Sequence, residues 1–133
     1  MDDAQQPDAI SEFKSKSGLR RIVTAAGYSV AGFRAALREH AFRQELVLLA
    51  IASVVAFCIP VPALQRLMLI GSLVLVLIVE LLNSAIEAVV DRVSLQRHPL
   101  SKSAKDMGSA AVCLALLLAA ATWCVVVLPL VFG

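Results

Sequence analysis

One stretch constrains this chain more than any other. Leu67-Met68-Leu69-Ile70-Gly71-Ser72-Leu73-Val74-Leu75-Val76-Leu77-Ile78 runs without a break into Val79-Glu80-Leu81-Leu82-Asn83-Ser84-Ala85-Ile86-Glu87-Ala88-Val89-Val90-Asp91. The apolar half alone is too short to cross a bilayer, which takes roughly 20 residues. A helix that spans must therefore carry part of the polar half with it. Glu80, Asn83, Glu87 and Asp91 follow one another at three, four and four residues, so at helical pitch they stack on one face. Ionisable groups at membrane depth are costly and mark functional sites by default.

The remaining chain is consistent with a membrane protein. Of 133 residues 59% are hydrophobic and 17% charged, against nearer half and a quarter in soluble domains. The three cysteines, Cys58, Cys113 and Cys124, lie singly in apolar runs and read as small apolar side chains rather than a disulfide or zinc framework. The segment Met1–Glu12 is acidic and polar, unlike a cleavable signal peptide. Residues 1–17 are expected to form a disordered tail and 18–133 one membrane domain.

Three spans are expected, at about 46–62, 64–91 and 104–131. Pro60 and Pro62 make a short turn, so the first two should be antiparallel neighbours. Ser103 followed by Asp106 resembles a capping box at the start of the third. Ahead of the spans, Leu19, Ile22, Val23, Ala26, Val30, Phe33 and Leu37 share one face of a helix over about 18–38, with Arg20, Arg21, Arg34 and Arg38 off that stripe. A basic amphipathic helix of this kind lies in the membrane interface. The fold class is thus all-α: a surface helix and three transmembrane helices.

Charge sets the orientation. Of the 12 Lys and Arg, all but Arg66 lie before the first span or between the second and third. By the positive-inside rule these regions face the cytoplasm and the C-terminus lies outside. Glu80 then sits about 20 Å in from the outer side and Glu87 about 30 Å, near the inner hydrocarbon boundary. The stripe opens onto the cytoplasmic face, where a site could meet a lipid from the side and a soluble molecule from the cytosol.

The residues gathered at that face are Glu39, Glu45, Glu80, Glu87, Asp91 and Asp106, with Arg20, Arg21, Arg43, Lys105, His98 and Asn83. Carboxylates suit Mg²⁺, cations suit phosphates, and a membrane-embedded carboxylate can serve as general base. Together they are the parts that phosphoryl transfer requires. Plainer readings stand beside this one. Glu87 and Asp91 could mark a helix end paired with Arg92 or Lys105; Arg43 and Glu45 could be interfacial charges; His98 before Pro99 reads as a loop residue and Trp123 as an anchor or packing residue. Gly27-Tyr28-Ser29-Val30-Ala31-Gly32 has P-loop glycine spacing but continues Phe33-Arg34, with no Lys or preceding strand.

Glu80 to Asp91 (EhhNSAIEAVVD, h apolar) closely resembles the signature of the small bacterial membrane diacylglycerol kinases. So do Ala25-Ala26-Gly27-Tyr28-Ser29, Ala41-Phe42-Arg43-Gln44-Glu45 and Lys105-Asp106-Met107-Gly108-Ser109-Ala110-Ala111. The likeness runs from about Gly18 to the C-terminus. It implies a homotrimer in the bacterial cytoplasmic membrane that uses MgATP to phosphorylate the free hydroxyl of diacylglycerol, giving phosphatidic acid. By matching motif it implies Glu80 as catalytic base with Asn83 beside it, and Glu39 and Glu87 as Mg²⁺ ligands that also meet ATP. Further nucleotide contacts would come from Arg21, Tyr28, Gln96, Arg97, His98, Lys105 and Asp106. Lipid contacts would come from Ala25, Ala26, Gly27, Tyr28, Ser29, Val30, Ala41, Phe42, Arg43, Gln44, Glu45, Arg66, Glu80 and Ser109. Thr24 and the stretch Leu37–His40 depart from the pattern of a close relative.

A related branch phosphorylates undecaprenol, and pattern alone does not separate the two alcohols. Two readings of other classes compete. An oligomeric proton or cation pathway would use the polar stripe, but the outer half, Leu67–Val79, offers only Ser72 to continue it. A noncatalytic binder of anionic lipid explains the arginines of the surface helix but leaves Glu80 unexplained. Nothing suggests nucleic acid as a partner.

Overall fold

The computed structural model describes residues 18–93 and 98–133. They form four helices: α1 (Gly18–Ala36), α2 (His40–Cys58), α3 (Ala63–Val93) and α4 (Pro99–Phe132), with no strand among the described residues. Two compact units result, one holding α1 as far as Arg34 and the other Ala35–Gly133. The helices α2, α3 and α4 are long and apolar enough to cross a membrane. The all-helical expectation of one preceding helix and three spans is met. The tail, Gln96 and Arg97 lie outside the described residues.

Within its own unit, Ile22, Val23, Val30 and Phe33 of α1 are all exposed. Its hydroxyls turn back on the helix. Thr24 Oγ1 donates to the Arg20 carbonyl at 2.8 Å and Ser29 Oγ to the Ala25 carbonyl at 3.1 Å.

The spans are longer than the apolar runs that announce them, because a helix continues into polar residues at each membrane surface. α2 begins at His40, behind a tight turn in which Glu39 N donates to the Ala36 carbonyl at 2.9 Å. Glu39 holds the N-cap position in extended conformation, yet its side chain makes no capping hydrogen bond. At the other end Ile59 is extended (φ −79°, ψ 147°), as the residue before a proline should be, and Pro60-Val61-Pro62 turns the chain into α3.

Arg66 closes that turn. Its Nε donates to the Ala56 carbonyl at 2.8 Å, and an η nitrogen reaches those of Ile59 and Val61 at 3.3 and 3.4 Å. The guanidinium also lies over the Phe57 ring, 5.7 Å from its centroid. Carbonyls at a helix C-terminus lack intrahelical partners and carry partial negative charge, and a cation satisfies both needs.

The helix α4 starts earlier than Ser103, and this corrects the expected cap. His98 is the N-cap, its Nδ1 accepting from Leu100 N at 3.2 Å, and Pro99 follows at the first helical position. Proline is preorganised for that position and has no N–H to leave unpaired, so it outcompetes the capping box that begins four residues on. Asp106 instead pairs with Lys102 one turn back.

α3 packs more extensively on α4 than on α2. One core cluster joins Leu73 and Val76 of α3 to Ala115 and Ala119 of α4, with Leu49 and Ala52 of α2 against it. The alanines, one turn apart, let the helix backbones approach closely. A second cluster, Ala56, Val61 and Leu69, sits by the α2–α3 turn. Trp123 packs against both, and its indole N–H donates to the Leu69 carbonyl at 3.2 Å. Its role is packing between helices. Ser72 Oγ donates to the same carbonyl at 2.8 Å. Large apolar side chains such as Val54, Leu67, Ile78, Leu117 and Val125 point outward. In water such a surface would be a liability; in a bilayer it faces the solvent it suits.

Candidate active site

The polar stripe of α3 is graded along its length. Glu80 is 6% exposed and Asn83 9%, Glu87 is half-buried and Asp91 exposed. The stripe therefore starts inside the packed helices and ends at their polar rim. Asn83 Nδ2 donates to Glu87 Oε1 at 3.2 Å, one helical turn along. The other amide atom, Asn83 Oδ1, is buried and accepts nothing.

The neighbouring helix supplies a second carboxylate. Phe42, 2% exposed, anchors the first turn of α2, and Glu45 three residues on shares its face. Glu45 is half-buried, and its Oε2 is buried with no hydrogen-bond partner. Glu80 lies within the electrostatic reach of Glu87, Glu39 and Glu45. Four carboxylates from α2, its N-cap and α3 thus share one region. Among the described residues the ion pairs are Lys102–Asp106 and Lys105–Asp91, so none of these four carboxylates is held in a salt bridge, and of the four Lys105 lies within the electrostatic reach of Glu87 alone. Like charges held together in this way are unfavourable unless something positive joins them.

On α4, Lys105 Nζ donates to Asp91 Oδ1 at 2.6 Å, linking the rims of α3 and α4. Asp106, next in sequence, is held by Lys102. Lys105 is half-buried, and Asp106 and His98 are exposed. The close approach of α3 to α4 occurs at Gly108, buried against Asn83.

The structure thus brings together Glu39, Glu45, Glu80, Asn83 and Glu87, and it joins Asp91 to Lys105. Ala41, Arg43 and Gln44 are exposed around the first turns of α2, and Ser109 is exposed on α4. Arg21, Ala25, Ala26, Gly27, Tyr28, Ser29 and Val30 are exposed on α1, within the other unit. Arg66 is not brought to the carboxylates. It lies 14 residues from Glu80, about 21 Å along α3, with its donors used on the end of α2. Sequence reasoning left Gly108 out of the site, whereas the pairing of Asp91 with Lys105 is one of the plainer readings it offered, and the structure makes it. A glycine inside a helical pattern is the one signal that pointed to Gly108.

The chain matches the prokaryotic diacylglycerol kinase family over residues 27–127. It belongs to that family. A diacylglycerol kinase of Pseudomonas aeruginosa is 56% identical over 119 residues, 89% of this chain and 97% of the relative. One of Escherichia coli K12 is 56% identical over 110 residues, covering 82% and 90% of the two chains. One of Haemophilus influenzae is 40% identical over 108 residues, covering 80% and 92%. All of the carboxylate cluster falls within the matched residues.

Proposed function

We propose that the chain transfers the γ-phosphoryl group of MgATP to the free hydroxyl of diacylglycerol, giving phosphatidic acid at the cytoplasmic face of a bacterial membrane. The observation that carries this reading is Glu80, a buried carboxylate without a cation partner, beside Glu39, Glu45 and Glu87. Family membership supplies the lipid and the reaction.

In this reading Glu80 is the general base. Its depth suits a hydroxyl that belongs to a membrane-embedded lipid, and its carboxylate accepts the hydroxyl proton as that oxygen attacks. Asn83 orients Glu87 through the amide hydrogen bond. Glu39 and Glu87 would hold Mg²⁺. The donor set fits that ion. No group of three or more His, Cys, Asp or Glu positioned for a metal occurs among the described residues, and Mg²⁺ in kinases takes one or two carboxylates plus phosphate oxygens. Glu39 spends nothing on capping α2. When bound, the ion supplies charge neutralisation for the phosphates.

Lys105 contributes a cation to the nucleotide, with Asp106, His98, Gln96 and Arg97 near it in sequence and Arg21 and Tyr28 on α1. The lipid is met by Ala25–Val30 of α1, by Ala41–Glu45 and by Ser109. The charge distribution supports a cytoplasmic N-terminus and an outer C-terminus. A homotrimer is part of the proposal, and the exposed apolar faces of α2–α4 are compatible with it.

A pathway for ions is disfavoured by the outer half of α3, where the hydroxyl of Ser72 is bound to the Leu69 carbonyl and the other buried side chains are Leu69, Leu73 and Val76. The test is phosphate transfer by purified protein in mixed micelles, with ATP labelled at the γ position and a panel of lipid alcohols. Label is expected in phosphatidic acid. Label confined to undecaprenyl phosphate, or no labelled lipid, would overturn the proposal.

A further inference from the structure

Gly108 stands in the middle of a helix where nothing local asks for glycine. Its backbone is ordinary, since the described residues hold no glycine of positive φ. Glycine in a helix interior is less favourable than alanine, and Ala110, Ala111, Ala115 and Ala119 stand further along α4. Gly27, Gly32 and Gly71 also lie within helices, and a Cβ added at any of them would meet nothing. A Cβ added at Gly108 would collide with Asn83 Oδ1. Gly108 is thus specified across the helix interface by one side chain of α3.

That side chain sits among the candidate active-site residues. Asn83 is nine-tenths buried. Its Nδ2 donates to Glu87 Oε1 at 3.2 Å, and its Oδ1, against Gly108, has no conventional donor. The amide orientation is fixed by chemistry, because the reverse would set an oxygen against a carboxylate. On the other side Oδ1 is buried against Gly108 of α4, at the place a Cβ would occupy. Steric enclosure by α4 therefore holds the Asn83 amide, and the amide holds one oxygen of Glu87.

We infer that Gly108 is a positioning residue for phosphoryl transfer: its missing side chain admits the Asn83 amide, which fixes Glu87 in the orientation that receives the metal–nucleotide. The inference rests on the proposed role of Glu87 as a metal ligand. A methyl group at position 108 pushes the amide aside, and Glu87 loses its N–H donor although neither reacting residue has changed.

Asn83 is the sole asparagine of the chain, so ¹⁵N-asparagine labelling of the full protein in detergent gives one side-chain amide pair. Glu87→Gln is expected to move that signal, and Gly108→Ala to move it comparably. Met107→Leu, at an exposed neighbour, should leave it in place. In lipid-kinase assays Gly108→Ala should lower kcat by about 10²-fold, the scale of loss for a displacement near 1 Å. It should also raise the Mg²⁺ concentration needed for half-maximal rate, with little change in KM for diacylglycerol. In an Asn83→Ala background the same substitution should cost less than about twofold, because residues acting through one contact are non-additive.

Gly108→Ala protein with an unmoved amide signal and wild-type kcat would overturn the inference. So would an undiminished loss in the Asn83→Ala background. If Gly108→Ala does not fold, the double variant Asn83→Ala/Gly108→Ala should, since the collision is gone; its failure to fold would show that α4 needs the glycine for another reason and would also overturn the inference. The amide signal reads positioning whether or not diacylglycerol is the acceptor, so it separates this inference from the proposed function.

Discussion

The two ends of α3 each place charge where apolar packing would be cheaper, and they treat it in opposite ways. At the turn end, Arg66 spends its guanidinium on the Ala56, Ile59 and Val61 carbonyls and on the Phe57 ring. At the other end, among the described residues, Glu80 and Glu45 form no ion pair, and Glu45 Oε2 and Asn83 Oδ1 have no hydrogen-bond partner. Buried polar groups are nearly always satisfied, so exceptions call for an explanation. The contrast teaches how to read charge in a membrane helix. Satisfied charge holds the fold; unsatisfied charge marks where a ligand completes it.

The comparison can be broken most decisively at Glu80. Glu80→Gln keeps the shape and removes the basicity, and it should lower kcat by about 10²–10⁴-fold in protein that unfolds at the wild-type temperature. A loss of kcat accompanied by unfolding would instead make Glu80 a structural residue. Next comes Glu87→Gln. It should raise the Mg²⁺ requirement and the KM for ATP, with KM for diacylglycerol nearly unchanged; an unaltered Mg²⁺ titration in both Glu87→Gln and Glu39→Gln would remove the metal assignment.

Arg66→Met should show the opposite pattern. Losing hydrogen bonds from a charged group is expected to destabilise the protein by about 1.5–3 kcal/mol, measured by thermal unfolding in detergent. Turnover per folded molecule should fall far less than in Glu80→Gln. The smallest effect belongs to Asp91→Asn at the exposed rim. It frees Lys105 from its carboxylate and should change KM for ATP modestly while leaving kcat close to wild type. A collapse of kcat there would move the base from Glu80 to Asp91.

Much of this contrast is legible in one dimension. The apolar runs and Pro60 and Pro62 mark the spans, and the three-four-four spacing puts Glu80, Asn83, Glu87 and Asp91 on one face. Periodicity reports which residues of one helix align, but it carries no register between helices. The meeting of Gly108 with Asn83 therefore emerges only when α3 and α4 are packed, and the packing selects Lys105 rather than Arg92 as the partner of Asp91. Glu45 looks like an interfacial charge because its own neighbours are mixed, and its place near Glu80 of α3 shows only in the packed helices. Arg66 looks like a free cation because its partners are backbone carbonyls, which every residue type supplies. The start of α4 went to His98 and Pro99 because proline geometry decides the first turn more firmly than a serine further along.

The central claim is that the carboxylate end of α3 performs the chemistry and the arginine end does not. Its most direct test is a side-by-side assay of folded Glu80→Gln and folded Arg66→Met protein, in the same mixed micelles, following label from the γ-phosphate of ATP into phosphatidic acid. The account predicts an initial rate reduced about 10²-fold or more for Glu80→Gln and close to wild type per folded molecule for Arg66→Met. Equal losses in the two variants, or near wild-type transfer by Glu80→Gln, would contradict it.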